Sequence, residues 1–173
     1  MADTYTLISS VTVGSGGASS IDFTSIPATY TDLKLVTSLR PASGTGATYA
    51  QITFNGTGSG YSMRRLYGSG SGTGSGSNSA QSKLQDAYLT NGTDYTASVF
   101  ANGELYIPNY AGSNQKSVSL DSVQENNGTA AYAFLSAGLS NITSAITSIK
   151  LETDNASNFA QHSSAYLYGI KNS

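Results

Sequence analysis

Hydrophobic and polar residues alternate with a period of two along most of this chain, and this pattern constrains the fold more than any other feature. In the segment 33–40, for example, leucines at positions 33, 35 and 39 alternate with Lys34, Ser38 and Arg40. Because successive side chains of a β-strand point to opposite faces, this segment predicts a strand with one buried face and one wet face.

The same alternation recurs from one end of the chain to the other. Nine further segments show it: residues 5–13, 19–26, 50–54, 97–101, 104–107, 117–123, 130–135, 146–152 and 164–170. About ten short strands in succession predict an all-β fold, an antiparallel, jelly-roll-like β-sandwich. Only residues 141–148 suggest a helical turn, which their β-branched Ile and Thr disfavour. A length of 173 residues suits one domain, so we expect a single sandwich over residues 1–173.

Asn-Gly pairs mark candidate turns, because both residues tolerate the positive φ that a type I′ turn requires. Such pairs begin at Asn55, Asn91, Asn102 and Asn127. We expect a turn at each of them. The pair at Asn102 lies between two alternating runs, and there we predict a tight hairpin.

Residues 68–79 read GSGSGTGSGSNS and show no strand pattern. This composition is typical of flexible linkers. Strand signals on both sides place the tract inside one sandwich, so we predict a flexible loop. Two roles stay open for it: a solvated mobile loop, or an arm that becomes ordered against a neighbouring subunit.

Charged residues make up only 10% of the chain, against roughly a quarter in ordinary soluble domains. Ser, Thr, Asn and Gly take their place. A neutral polar surface lacks the repulsion that keeps soluble proteins apart, and it suits a part that packs against copies of itself. The net charge is -2 and no basic stripe is present, so we expect no nucleic-acid partner. No apolar run reaches about 18 residues, so we expect no membrane partner.

The sequence offers few groups for catalysis or metal binding. Cysteine is absent and His162 is the only histidine. Its position just before the last predicted strand favours a loop or strand-edge residue over a member of a catalytic triad. Asp154, Asn155 and Asn158 offer oxygen ligands, but the spacing of an EF-hand calcium loop is missing. We therefore predict no catalytic residues, no metal site and no cofactor.

A short basic run stands just before the Gly/Ser-rich tract, at residues 63–67. It is either an ordinary strand or part of a protein interface, since Met, Arg and Tyr are enriched at interface centres. We take as interface candidates Arg40, Tyr61, Met63, Arg64, Arg65 and Tyr67.

Four segments together resemble a group of small virion structural proteins of tailed bacteriophages, above all those of aquatic phages. They are IDFTSIPATYTDL at 21–33, ITFNGTGSGYSMRRLYG at 52–68, IPNYAGSNQKS at 107–117 and SAYLYGIK at 164–171. The resemblance covers most of the chain and carries no enzymatic residue with it.

The resemblance implies a virion protein made in the host cytoplasm, and two roles are open. One is a capsid decoration or cement protein: a symmetric homo-oligomer, preferably a trimer, that binds the major capsid protein on the outer surface of the capsid. The other is a tail fibre or receptor-binding component that recognises host glycan. The chain has no heptads or collagen-like repeats for a fibre shaft, which favours decoration. A glycan hydrolase and a free carbohydrate-binding module are weaker alternatives.

Overall fold

The computed structural model describes residues 4–46, 48–90, 92–93, 95–127 and 131–171. Within these residues the chain forms twelve β-strands and no helix. The strands are β1 Tyr5–Thr12, β2 Ile21–Phe23, β3 Asp32–Leu39, β4 Thr48–Phe54, β5 Tyr61–Gly68, β6 Thr73–Gln81, β7 Leu84–Thr90, β8 Ala101–Ile107, β9 Lys116–Gln124, β10 Tyr132–Ser140, β11 Ile149–Thr153 and β12 Ser164–Ile170.

These strands form two sheets in which every neighbouring pair is antiparallel. The larger sheet has eight strands in the order β1-β12-β3-β8-β9-β10-β5-β6. The smaller has four strands in the order β2-β11-β4-β7. This arrangement confirms the predicted all-β antiparallel sandwich.

Strands that come late in the chain lie between strands that come early. β12 lies between β1 and β3 in the larger sheet, and β11 lies between β2 and β4 in the smaller one. Both sheets are therefore held together by pairings between residues far apart in sequence.

The core lies between the two sheets and consists of inward side chains from both. Leu33, Leu35 and Leu39 of β3 point inward, as their alternation predicted, and each is at most 1% exposed. They belong to the same cluster of buried apolar side chains as Ile52 and Leu151 of the smaller sheet. One continuous core therefore joins the two sheets.

The tight hairpin predicted at Asn102-Gly103 is wrong. Both residues lie within β8, where Asn102 pairs with Ser38 on one side and Val123 on the other. The Thr37 hydroxyl donates a hydrogen bond to the Gly103 carbonyl at 3.2 Å. Pairing on both sides holds this Asn-Gly pair in an extended conformation that its local sequence does not favour.

Of the other three Asn-Gly pairs, only the one at Asn55 lies wholly within the described residues. Asn55 and Gly56 have φ of 52° and 65°, and the Thr57 amide donates to the Phe54 carbonyl at 3.0 Å, which confirms a turn after β4. Asn91 and Gly128 lie outside the described residues, and so do the turns predicted at these two pairs. Residues 141–148 form no helix.

The predicted flexible loop at residues 68–79 is also wrong for most of its length. β5 extends to Gly68, the chain turns within four residues, and residues 73–81 form β6 beside β5. A Cβ placed on Gly74 would lie 2.4 Å from the Tyr67 ring, and one on Gly76 would lie 2.9 Å from the Arg65 Nε. Side chains of β5 therefore cover the glycines of β6, and this cover replaces the side-chain packing that β6 itself lacks.

Candidate interaction surface

The four-stranded sheet packs against one side of the eight-stranded sheet only. We call that side the inner face and the opposite side the outer face. Among the described residues, eight large apolar side chains are more than a third exposed, and the strand alternation places all of them on the outer face: Tyr5, Leu7, Leu66, Tyr106, Val123, Leu135, Leu139 and Tyr166. Their concentration on one face is typical of a docking surface, because exposed apolar residues are otherwise scattered.

Four of these side chains, from three adjacent strands, form what we call the leucine patch: Leu66, Val123, Leu135 and Leu139. Leu66 and Leu135 stand directly opposite each other on β5 and β10 and are 62% and 61% exposed. Ala133 and Ala137 of β10 continue the apolar surface on either side of Leu135. The patch therefore offers a flat apolar area, with Asp121 opposite Leu135 on its β9 side and Arg64 opposite Ala137 on its β5 side.

A shallow groove of ≈ 800 Å³ runs from the leucine patch toward β6. Its lining includes Arg64, Leu66, Ser75, Ser77, Leu135 and Ala137. The Arg64 side chain is exposed, and its Nη1 donates to the Met63 carbonyl at 3.1 Å. The groove thus combines an apolar floor with a row of hydroxyls and one positive charge.

A small group of charges lies in the middle of the outer face. Lys34 Nζ is 2.6 Å from Glu104 Oε2, and Asp121 stands opposite Glu104 on β9. The hydrogen bond to Glu104 raises the pKa of Lys34. Partial burial, and then the nearby charge of Glu104, raise the pKa of Asp121. Asp121 therefore carries an unfavourable charge that the Lys34–Glu104 ion pair does not fully offset.

Exposed tyrosines lie among these charges and beyond them toward β1, with Tyr106 directly opposite Lys34. Tyr5, Tyr106 and Tyr166 belong to β1, β8 and β12. The Tyr106 hydroxyl donates to Asp32 Oδ2 at 2.8 Å, and this bond raises the pKa of the phenol. The two ends of the outer face thus differ: the exposed apolar side chains are aliphatic at the β5 end and are tyrosines together with Leu7 at the β1 end.

The inner face carries an aromatic cluster near the β6 edge. Phe134 stacks on Tyr67 with ring centroids 5.4 Å apart, and Tyr49 of the smaller sheet meets Phe134 edge-on at 6.3 Å. The Arg65 guanidinium carbon lies 5.8 Å from the Phe134 centroid, within the range of a cation–π contact. This cluster fixes the side chains that cover Gly74 and Gly76.

Two of the six predicted interface residues belong to the core instead. Tyr61 and Met63 are 1% and 3% exposed, and both point to the inner face. The Phe54 amide donates to the Tyr61 hydroxyl at 2.8 Å, and burial raises the pKa of Tyr61. Neither side chain is accessible to a partner of the folded chain, so their assignment to an interface is corrected.

The remaining four candidates are divided between different places. Arg40 Nη1 donates to the carbonyls of Thr96 and Val99, at 3.1 and 2.9 Å, and so holds the segment before β8. Arg65 and Tyr67 belong to the inner aromatic cluster. Only Arg64 lies on the outer face, beside the leucine patch, and its interface role stays a prediction.

Sequence reasoning missed the leucine patch. The alternation of Ala133, Leu135, Ala137 and Leu139 was a visible signal, since it extends the predicted strand 130–135, whose first residue lies outside the described part of the chain, to Ser140. Alternation alone does not say which of the two faces is covered. A strand rich in leucine is normally assumed to bury its leucines, and β10 does the opposite.

Groups considered for catalysis or metal binding serve local structure. His162 lies in a turn before β12, as predicted, and its amide donates to the Val13 carbonyl at 2.9 Å. Asp154 Oδ1 accepts from the Tyr49 amide at 3.2 Å, and Asn155 Oδ1 accepts from the Ser157 amide at 3.0 Å. Within the described residues no group of three or more His, Asp or Glu lies close enough to hold a metal ion.

Comparisons of the chain with known protein families, curated proteins and solved structures give no match. The described residues also contain no helix long and apolar enough to cross a membrane.

Proposed function

We propose that this chain is a structural protein of a bacteriophage virion, and that it decorates the capsid by docking its outer face on the assembled shell. The observation that carries the proposal is the concentration of eight exposed apolar side chains on one face of a weakly charged sandwich. The resemblance of four sequence segments to phage virion proteins supports the assignment to a phage particle.

The leucine patch provides the adhesion in this proposal. Burying an exposed leucine on a partner contributes about 1–2 kcal/mol, before the costs of association are subtracted. Such a contact is weak for one subunit, but many subunits repeat it over a shell. Because the four side chains of the patch carry no charge, salt weakens only the contribution of the neighbouring Asp121 and Arg64. A cement protein with this surface therefore stays bound in a high-salt wash.

A tail component that recognises host glycan is the second candidate, and the exposed tyrosines favour it. Tyr5, Tyr106 and Tyr166 each present part of a flat apolar ring with a polar tip, which suits stacking against sugars. Copy number separates the two roles. Quantitative mass spectrometry of purified virions gives many copies per particle for a decoration protein and few for a tail component.

The docking face is tested with the double variant Leu66→Ser/Leu135→Ser and capsids that lack this protein. We expect co-sedimentation with the capsids to fall at least tenfold, while thermal melting of the free protein stays unchanged. Leu7→Ser is the matched control, because Leu7 is a comparably exposed leucine at the far end of the same face. Loss of binding in the control alone would move the docking site to the tyrosine end. Unchanged binding in both variants would contradict docking through the outer face.

A further inference from the structure

One edge of the eight-stranded sheet is formed by β6, and no strand of the described chain lies beside it on that side. Ladder hydrogen bonds of an antiparallel pair alternate, so every second residue of β6 directs its N–H and C=O away from β5. With nine residues, β6 is longer than either edge strand of the smaller sheet and longer than β1 at the opposite edge.

Over residues 73–78, β6 lacks the features that usually keep an edge strand from pairing. Natural edge strands are protected by charges, proline, bulges or short length. Residues 73–81 contain no charged residue and no proline. A bulge interrupts the ladder only after Asn78, which leaves residues 73–78 regular. At the opposite edge, the ladder of β1 is interrupted in its middle, between Leu7 and Ser9.

The side chains of β6 also leave its edge open. Thr73, Ser75 and Ser77 point to the outer face, and the glycines at 74 and 76 point to the inner face. The inner side of those glycines is already covered by Tyr67 and Arg65 of the same chain. A strand that approached from the side would meet only backbone and hydroxyl groups.

We propose that β6 pairs in antiparallel fashion with β6 of a second copy of this chain, about a two-fold axis perpendicular to the sheet. A strand pairing antiparallel with its own copy is self-complementary, as a two-fold interface requires. Residues opposite each other lie on the same face, so serine meets serine and glycine meets glycine. Since the strand carries no charge, like charges do not repel across the joint.

This pairing would join two eight-stranded sheets into one sheet of sixteen strands with a continuous outer face. Strand spacing places β5 of one copy about 14 Å from β5 of the other, across three strand intervals. The two leucine patches would then lie side by side. The pairing rests on the edge of β6 and is independent of the virion role; the two-fold symmetry competes with the trimer expected from the sequence.

The test uses the full-length protein and the variant Thr73→Lys/Ser75→Lys, which places charges on both sides of the joint. We expect light scattering to give the parent a mass of twice 17.8 kDa. The dissociation constant of the variant should rise at least tenfold, with unchanged circular dichroism and melting. The matched control is Ser10→Lys/Thr12→Lys, the same chemistry on exposed outer-face residues of β1.

Amide hydrogen exchange gives a second measurement. In the parent, amides of β6 should become more protected as protein concentration rises, and this dependence should vanish in the lysine variant. A monomer at all concentrations, a trimer, or a dimer that survives the β6 lysines would overturn the proposal. Equal loss in the β1 control would show that β6 pairs with β1 instead, which would also overturn it.

Discussion

On β10 the leucines point to solvent and mostly small residues point to the core, which is the reverse of the usual arrangement. Its inward side carries Phe134 and then only small residues, Ser136, Gly138 and Ser140, while alanine and leucine point to solvent. On β3, by contrast, the leucines point inward and Lys34 points outward. Because both strands alternate equally well, the difference shows that alternation defines two sets of side chains and that the packed neighbour decides which set is buried.

The neighbour that determines which side of β10 is buried is β7 of the smaller sheet. A Cβ placed on Gly138 would lie 2.9 Å from Leu84 Cδ2 and 2.9 Å from Val118 Cγ2. Leu84 is fully buried and occupies the space that a side chain on Gly138 would need. The inward side of β10 is small because the opposite sheet fills it, and its leucines are left for the outer face.

The largest expected effect on stability distinguishes two leucine-to-alanine variants. One leucine packs against the inner side of β10, and the other lies on its outer side. Leu84→Ala should lower the free energy of unfolding by about 2–5 kcal/mol, since it leaves a cavity in the core. Leu135→Ala should change it by less than about 0.5 kcal/mol, because Leu135 is largely exposed. Urea denaturation of both variants measures the difference. Equal losses would show that the outer face is covered within the folded chain.

Adding one methyl group tests the fit between Leu84 and β10. Gly138→Ala should cost about 1–3 kcal/mol, because the new Cβ forces Leu84 and Val118 to move. Gly58→Ala is the control: its Cβ would meet nothing within 4 Å and its φ is not positive. The control should be neutral or slightly stabilising. A neutral Gly138→Ala would mean that the inward side of β10 has spare room.

The smallest changes in the free energy of unfolding should come from substituting two carboxylates, one on each sheet. Glu152 of β11 is 2.7 Å from both Lys83 and Lys150, and their hydrogen bonds lower its pKa. It therefore stabilises the fold above its unfolded pKa of 4.5, and this stabilisation disappears as the pH falls through the lower folded value. Glu152→Gln should cost less than about 1 kcal/mol at pH 7, because the pair is partly exposed.

Asp121 of the outer face should behave in the opposite sense. Its pKa lies above the unfolded 3.8, so ionisation costs stability as the pH rises through the folded value. Asp121→Asn should raise the free energy of unfolding slightly at pH 7, by less than about 1 kcal/mol. The gain should vanish below pH 3.8. Unfolding titrations from pH 3 to pH 7 compare both carboxylates, and a loss in Asp121→Asn would contradict the assigned sign.

Much of the fold could be predicted from the sequence, because alternation depends on each strand alone. It identified the all-β antiparallel sandwich and the inward leucines of β3. It failed at β6, since a strand of Gly and Ser carries no pattern of its own and is stabilised by Tyr67 and Arg65 of β5. The hairpin predicted from the Asn-Gly pair at Asn102 was wrong, because strand pairing on both sides overrode a strong turn preference.

The candidate surface was less predictable than the fold. The basic run at residues 63–67 was singled out by residue type, yet the strand alternates and sends Met63 inward and Arg64 outward. Leu66, inside the same run, was not among the candidates because leucine is not one of the residue types on which they were chosen. Which side of a strand meets solvent depends on the other sheet, and that information is not local.

The places of β11 and β12 also determine when the chain can fold during its synthesis. β1 and β2 find their ladder partners only in β12 and β11, so they stay unpaired until residues 149–170 have left the ribosome. The nascent chain therefore exposes these unpaired early strands until the late strands are available. Folding dominated by such distant pairings takes milliseconds to seconds, which gives chaperones time to bind the newly made chain.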